Sequence, residues 1–296
     1  MITSDINTLI EIPTDEAKQF DKLIKDYRSK YITDPNSLVN QVFEENPQFS
    51  DLLSDKKVTE VIIKAREMAW NKFLVEEEVF NTKLLTDLGM YLKTPKEILD
   101  SLINLKVTSV TRVEMVKQIK EVCGEYAGRI YPYIYKLSLS NTNSRRSRAG
   151  VTFQSLIYRI YEKLGYPYES QKKVGKKTFE SAGLGKMVDS ILPGINEFAQ
   201  RRNKTIIGSM KTTLRERWQE VIEEIQRTNI PEIFLLTVDE VISTSKATQM
   251  NQHNVTLVVP NYVAKQEKLS GMKNIISFED YFFDEIPSVI TYWKNV

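Results

Sequence analysis

Apolar positions along the first part of the chain recur at spacings of three and four, and only later give way to short uninterrupted apolar runs. Phe20, Leu23, Ile24 and Tyr27 fall on one helical face between Thr14 and Tyr31, behind Pro13 and the acidic first-turn residues Asp15 and Glu16. Asp34-Pro35-Asn36 breaks that pattern, and a second helix is predicted from Ser37 to Glu45, ahead of Asn46-Pro47. A longer helix follows from Val58 towards Val79, with Val61, Ile62, Ala65, Ala69 and Phe73 as its core stripe. Thr94-Pro95-Lys96-Glu97 and Thr111-Arg112-Val113-Glu114 both carry the capping-box signature of a helix start. The chain up to Tyr126 therefore reads as helical.

After Tyr126-Ala127-Gly128 the character changes. Ile130 to Leu139 is rich in β-branched and aromatic residues and reads as extended, and Ser140 to Ser144 reads as a loop. An amphipathic helix is predicted from Val151 to Leu164 on the spacing of Phe153, Leu156, Ile157, Ile160 and Tyr161. A basic loop, Lys172 to Lys177, leads to a short strand beside Asp189, a helix from Pro193 to Arg201 and a strand from Thr205 to Gly208. The helix after it is expected to carry Arg215-Glu216-Arg217. Pro231 to Asp239 and Val255 to Val259 are buried-type strands, separated by a polar helix around Lys246 to Gln252. Another short strand at Ile275 and a last helix close the chain. Strands alternating with helices imply an α/β sheet layer from about residue 130 onward.

Composition narrows the class. With 41% hydrophobic and 27% charged residues in 296, the chain is of ordinary globular type and long enough to bury a substantial core. No run approaches the ~20 apolar residues of a membrane span, and the N-terminus lacks the basic head and apolar body of a signal peptide, so a cytoplasmic protein with no membrane partner is expected. One cysteine, Cys123, excludes an internal disulfide, and one histidine, His253, argues against a histidine-based metal site or triad. The net charge of +2 hides an asymmetry. Arg145 to Arg217 holds 16 Lys and Arg against 6 Asp and Glu, which fits either a polyanion footprint or a solvated basic face.

Two constellations lie inside this basic segment. Asp189, Ser209, Lys211 and Glu224 can be set together if the strands beside Asp189 and before Lys211 are neighbours. Ser209 and Lys211, two apart on an extended segment, point the same way. Carboxylates hold a hard cation and an ammonium steadies an attacking water or a developing phosphorane, as a Mg²⁺-dependent phosphodiesterase requires. On spacing alone, the plainer reading prevails: Asp189 is a strand-end turn residue and Lys211 a solvated lysine at a helix start. Arg215-Glu216-Arg217 offers donors to guanine O6 and N7 and an acceptor to cytosine N4, so the unit can read adjacent C·G pairs in duplex DNA, or else is an ordinary charged helix face.

SRRSRAGVTFQSLI, KMVDSILPG and GSMKTTLRERWQEVIEE, in this order and spacing, resemble the catalytic core of Type II restriction endonucleases that recognise CCGG, CCNGG or CCWGG, a group that includes the EcoRII catalytic domain. The resemblance covers about residues 145 to 226. It implies a PD-(D/E)XK nuclease fold: a mixed central sheet flanked by helices, over residues 129–296, with a helical region over 1–128 for dimerisation and DNA contacts. It assigns Asp189 and Glu224 as ligands of Mg²⁺, Lys211 as the catalytic lysine, Ser209 in the place of an acidic residue, and Arg215, Glu216 and Arg217 as base readers. A homodimer cutting duplex DNA at a palindrome with CC and GG halves, leaving 5′ overhangs, follows from it. So do backbone contacts from Arg145, Arg146, Arg148, Lys172, Lys173, Lys176 and Lys177. Arg66 and Trp70, one helical turn apart, resemble a pocket for an extruded base, or else Trp70 packs in the helical region. One departure stands out: Gln154 occupies a position where close members carry Glu. Either the site tolerates a neutral amide there, or the chain is a DNA-binding protein that has lost cleavage.

Overall fold

The computed structural model describes residues 11–106, 111–215, 217–228 and 230–296. The leading helices are α1 (Thr14–Tyr31), α2 (Pro35–Glu45), α3 (Gln48–Ser54), α4 (Val58–Tyr91), α5 (Lys93–Lys106), α6 (Arg112–Arg129) and α7 (Tyr131–Lys163). Then come β1 (Glu169–Ser170), α8 (Gln171–Val174), α9 (Lys176–Ser181), β2 (Ser190–Leu192), α10 (Ile195–Gln200), β3 (Ile206–Lys211) and α11 (Arg217–Thr228). The chain continues through β4 (Ile233–Thr237), α12 (Thr244–Gln252), β5 (Val255–Val259), α13 (Asn261–Ala264), β6 (Ile275–Ser277), α14 (Phe278–Asp280) and α15 (Ile286–Lys294). Two compact units result, one of residues up to Asp34 with Trp70–Ser147, the other of Pro35–Ala69 with Arg148–Val296. These units do not follow a single division at residue 128, because α2, α3 and the first turns of α4 group with the sheet. Among the described residues no helix is long and apolar enough to cross a membrane.

In the helical unit, α1 buries Phe20, Leu23 and Ile24, the face that the spacing marks. Its Glu16 is buried as well, and a buried carboxylate needs donors. Thr94 supplies two, through its backbone N at 2.9 Å and its hydroxyl at 3.0 Å, and the Tyr133 hydroxyl donates a third at 2.6 Å. Thr94 therefore does not cap α5, which begins one residue earlier. Thr111 does cap α6, accepting from the Glu114 N–H.

Ile130 is the turn between α6 and α7, and Tyr131 to Leu139 is helical rather than extended, as are Ser140 to Ser144. The buried residues Ile130, Tyr133 and Leu137 follow helical spacing, whereas Tyr131, Tyr135 and Leu139 form an exposed stripe four apart. Their superposition mimics strand alternation. Pro132 sits in the first turn, where its missing N–H costs no hydrogen bond. Further along, the Ser138 and Thr142 hydroxyls donate to the carbonyls one turn back, as hydroxyl side chains do inside a helix.

The second unit is built on a sheet of order β1-β2-β3-β4-β5-β6. β1, β2 and β3 pair antiparallel, and β3 through β6 are parallel. Ile207 and Leu235 look into a core shared with Phe179 of α9 and with Trp218, Val221 and Ile222 of α11. On the opposite face the second half of α7 buries Phe153, Leu156, Ile157, Ile160 and Tyr161, the positions that the pattern marked. There the Tyr161 and Tyr281 hydroxyls share a hydrogen bond of 2.7 Å. The segment Lys172 to Lys177, expected as a loop, is instead the two short helices α8 and α9, joined at Gly175, whose φ of 88° suits a residue without a side chain.

Near the C-terminus, partial desolvation of the exposed Glu285 and the neighbouring Glu232, Asp284 and Asp280 raise its pKa above the ordinary 4.5. The folded state thus favours protonated Glu285, and its ionisation costs stability at neutral pH. That cost fades as pH falls through the raised value and is absent below 4.5, where both states are protonated. Glu285→Gln is expected to raise the melting temperature at pH 7 and to give no advantage below pH 4.5, as followed by thermal unfolding across pH.

Candidate active site

The antiparallel β2–β3 pairing fixes the site. Ser190 lies opposite Gly208 and Ile191 opposite Ile207, and the Asp189 N–H extends the ladder by donating to the Gly208 carbonyl at 2.8 Å. Asp189 is thereby held at the end of β2 with its carboxylate over β3. Oδ2 accepts from the Met210 N–H at 2.6 Å and forms an ion pair with Lys211 Nζ at 3.5 Å. Oδ1 accepts from Gln154 Nε2 at 2.8 Å, and the Tyr158 hydroxyl donates to the Asp189 carbonyl at 2.8 Å. Burial pushes the Asp189 carboxyl above its usual range, while the Lys211 charge and the Met210 N–H act in the opposite direction. β3 runs as far as Lys211, so Ser209, Met210 and Lys211 belong to the strand itself rather than to the turn after it.

Ser209 and Lys211 alternate onto the same face as Ile207 and Leu235. The Ser209 hydroxyl is fully buried and has no hydrogen-bond partner. A helix packs over this face because Trp218, Val221 and Ile222 of α11 recur at helical spacing, and Glu224 falls on their side. Glu224 is 7% exposed, and its Oε1 accepts from Arg227 at 2.5 Å. Its carboxylate lies against Gly185, four residues before Asp189. The Asp189 and Glu224 carboxylates and the Ser209 hydroxyl are hard oxygen donors, the type that fits a hard divalent cation and not a soft one. Among the described residues no group of three or more His, Cys, Asp and Glu is clustered for a metal.

Arg215 is placed differently from expectation. α11 begins at Arg217, so Arg215 is not on the helix but in the turn before it, exposed and with a φ of 29°. Lys211 and Arg215 are consequently not one helical turn apart but joined by the non-helical Thr212-Thr213-Leu214. Glu216 lies outside the described residues. Arg217 opens α11, and its side chain lies outside what is described. The Arg215 carbonyl accepts from Lys246 Nζ at 3.3 Å.

The remaining candidates stand singly. Arg145 pairs with buried Glu77 through Nε and Nη2, which engages a cation expected on a DNA backbone. Lys173 lies over the Tyr168 ring, 3.4 Å from its centroid, and Lys176 pairs with Glu180 at 3.9 Å. Arg146, Lys172 and Lys177 are exposed, and Arg148 is half-buried. Arg66 is half-buried. Trp70 is 38% exposed, with its ring 5.3 Å from that of Phe73.

Three residues that the sequence reading passed over support the site. Tyr158 is four residues after Gln154, so both face Asp189 from one side of α7. Gln171 donates to the carbonyls of Gly185 at 3.4 Å and Val188 at 3.1 Å, which fastens the approach to Asp189. Asp239 follows β4 and accepts from the Leu214 N–H at 2.8 Å and the Val241 N–H at 3.0 Å. It thereby holds the link between Lys211 and Arg215. The signals were present as a helical i, i+4 pair and as a carboxylate closing a parallel strand.

An aspartate entering antiparallel to a strand that ends in Ser-x-Lys, with a helix crossing back to a parallel strand, is the PD-(D/E)XK nuclease arrangement. The family profile described as EcoRII C terminal matches residues 107–282. The Type II restriction enzyme SsoII of Shigella sonnei is 32% identical over 281 residues, covering 94% of this chain and 85% of that enzyme. Two solved structures of metal-depleted Ecl18kI agree. One, in complex with uncleaved, modified DNA, has a TM-score of 0.76 at 30% identity, covering 94% of this chain and 85% of that one. The other, in complex with uncleaved DNA, has a TM-score of 0.73 at 29% identity, with 94% and 86% covered. The chain belongs to this family of Type II restriction enzymes, the site-specific deoxyribonucleases.

Asp239→Ala leaves two backbone N–H groups without their charged acceptor. It is expected to cost about 1.5–3 kcal/mol in urea unfolding, with Asp239→Asn intermediate because it keeps one acceptor.

Proposed function

We propose that this enzyme is a Mg²⁺-dependent endonuclease that cuts duplex DNA at a palindrome with CC and GG halves, as a homodimer, leaving 5′ overhangs. The observation that carries the reading is the ion pair of Asp189 with Lys211 at the β2–β3 junction, on the sheet face over which α11 carries Glu224. Asp189 and Glu224 would hold the cation. Bound there, Mg²⁺ supplies charge stabilisation at the scissile phosphate and activation of water. Lys211, only 12% exposed, keeps its ammonium in a poorly solvated position, where it orients the attacking water and offsets charge on the phosphoryl oxygens. Attack in line with the departing 3′ oxygen, which takes up a proton, yields 5′-phosphate and 3′-hydroxyl ends. Gln154 bonds Asp189 as a neutral donor, so it adds no negative charge and the reading requires one ion only.

Arg215, Glu216 and Arg217 are the proposed readers of the C·G pairs, since a guanidinium matches guanine O6 and N7 and a carboxylate accepts from cytosine N4. A two-fold dimer presents them to both half-sites. The exposed apolar residues Val113, Val116 and Ile119 on α6 support self-association, because a second copy would cover them. The excess of ten positive charges from Arg145 to Arg217 suits the phosphate backbone. The resemblance assigns Arg66 and Trp70 to an extruded base, and the exposed Trp70 ring suits stacking against one.

Plasmid DNA incubated with the protein and Mg²⁺ is expected to give discrete fragments whose run-off ends map to CC/GG palindromes. Lys211→Ala is expected to lower the cleavage rate by about 10²–10³-fold, on the scale of removing one preorganised electrostatic group. A sequence-specific gel shift without cutting, or unimpaired cutting by Lys211→Ala, would overturn the reading.

A further inference from the structure

Glu224 arrives from a helix rather than from the strand that carries Lys211, so something must set its carboxylate in place. Arg227 holds one side of it, at 2.5 Å, but from a side chain that is 62% exposed. The other side is Gly185. A Cβ added there would coincide with the Glu224 carboxylate and stand 2.7 Å from its Cγ. Gly185 is not among the residues with positive φ, unlike its neighbour Gly183 at 79°, so its backbone is one that alanine adopts. The glycine is therefore required by the carboxylate against it and not by chain geometry.

The backbone around Gly185 has little freedom to withdraw. Gln171 Nε2 donates to the Gly185 carbonyl at 3.4 Å and to the Val188 carbonyl at 3.1 Å. The Val188 N–H donates to the Gly185 carbonyl at 3.3 Å, and the Leu184 N–H donates to the Phe179 carbonyl at 3.0 Å. Leu184 and Val188 are anchored in the core that also contains Phe179 and Val221. Of the two parties to a clash, the fixed one is the backbone and the movable one is the end of a glutamate side chain.

We infer that Gly185 is a positioning residue that seats the Glu224 carboxylate beside the segment leading to Asp189. A methyl group at residue 185 turns that carboxylate away while the fold persists. This inference rests on the proposed role of Glu224 as the second metal-holding carboxylate, and the test separates the two.

Binding of Mn²⁺ to the full chain is measured by the loss of the free-ion electron paramagnetic resonance signal, together with urea unfolding of each variant. Gly185→Ala is expected to weaken Mn²⁺ binding by about 10–100-fold, the range for supporting partners of metal ligands. Glu224→Gln is expected to weaken it as well, and the Gly185→Ala, Glu224→Gln double variant no further. In unfolding, Gly185→Ala is expected to cost nothing on a Glu224→Ala background, where the space is open. Wild-type Mn²⁺ binding by Gly185→Ala, with Glu224→Gln impaired, would overturn the seat and leave the role of Glu224 standing. Wild-type binding by Glu224→Gln would overturn both. An equal stability loss from Gly185→Ala with and without the Glu224 side chain would show that the obstacle is not the carboxylate, and the seat fails.

Discussion

Everything around the site depends on keeping one ionisable carboxylate, Asp189, with only 15% of its side chain exposed at the junction of β2 and β3. Burial disfavours its charge, so the surroundings must supply compensation. Three groups do so: the Met210 N–H from β3, the Lys211 ammonium from the end of the same strand, and the Gln154 amide from α7. The antiparallel register that sets Ser190 against Gly208 delivers the first two together, because it lays the carboxylate over the backbone two residues further along β3. A one-residue slip would turn Ser209 and Lys211 to the Tyr161 side of the sheet and leave Asp189 without its cation.

The same strand leads on to Arg215, a proposed base reader. From Lys211 the chain runs through Thr212, Thr213 and Leu214 to Arg215, and Asp239 at the end of β4 grips this link by the Leu214 N–H. β3 and β4 are parallel and in register from Gly208 with Phe234 to Lys211 with Thr237, so Asp239 stands just beyond the level of the lysine. In the proposed reading, a misfit at Arg215 is passed to Lys211 through a short anchored segment and not through a helix. Arg215 thus lies on the turn before α11 and not on the helix expected to carry it.

Much of this was legible in the residues. The core stripes of α1, α4 and the second half of α7, and the strands β4 and β5, follow directly from periodicity, because in each a single environment dictates the pattern. The stretch Ile130–Leu139 misled because a buried and an exposed apolar stripe on one helix add up to an alternating string. Spacing alone left Asp189 readable as a turn residue and Lys211 as a solvated lysine, and it was the resemblance that paired them; the β2–β3 register brings the two together. Gly185 was not legible, since its significance lies in a carboxylate thirty-nine residues away and nothing local distinguishes it from an ordinary turn glycine. Gln154 was visible as a departure, but its hydrogen bond to Asp189 needed the three-dimensional arrangement.

The central claim, that Asp189 and Glu224 hold the metal at which DNA is cut, is tested most directly by anomalous diffraction from crystals soaked in Mn²⁺. The account predicts an anomalous peak bonded to oxygens of both Asp189 and Glu224, at about 2.0–2.2 Å, close to the distance of a small hard divalent cation from oxygen. A peak coordinated elsewhere, with neither carboxylate among its ligands, would contradict it.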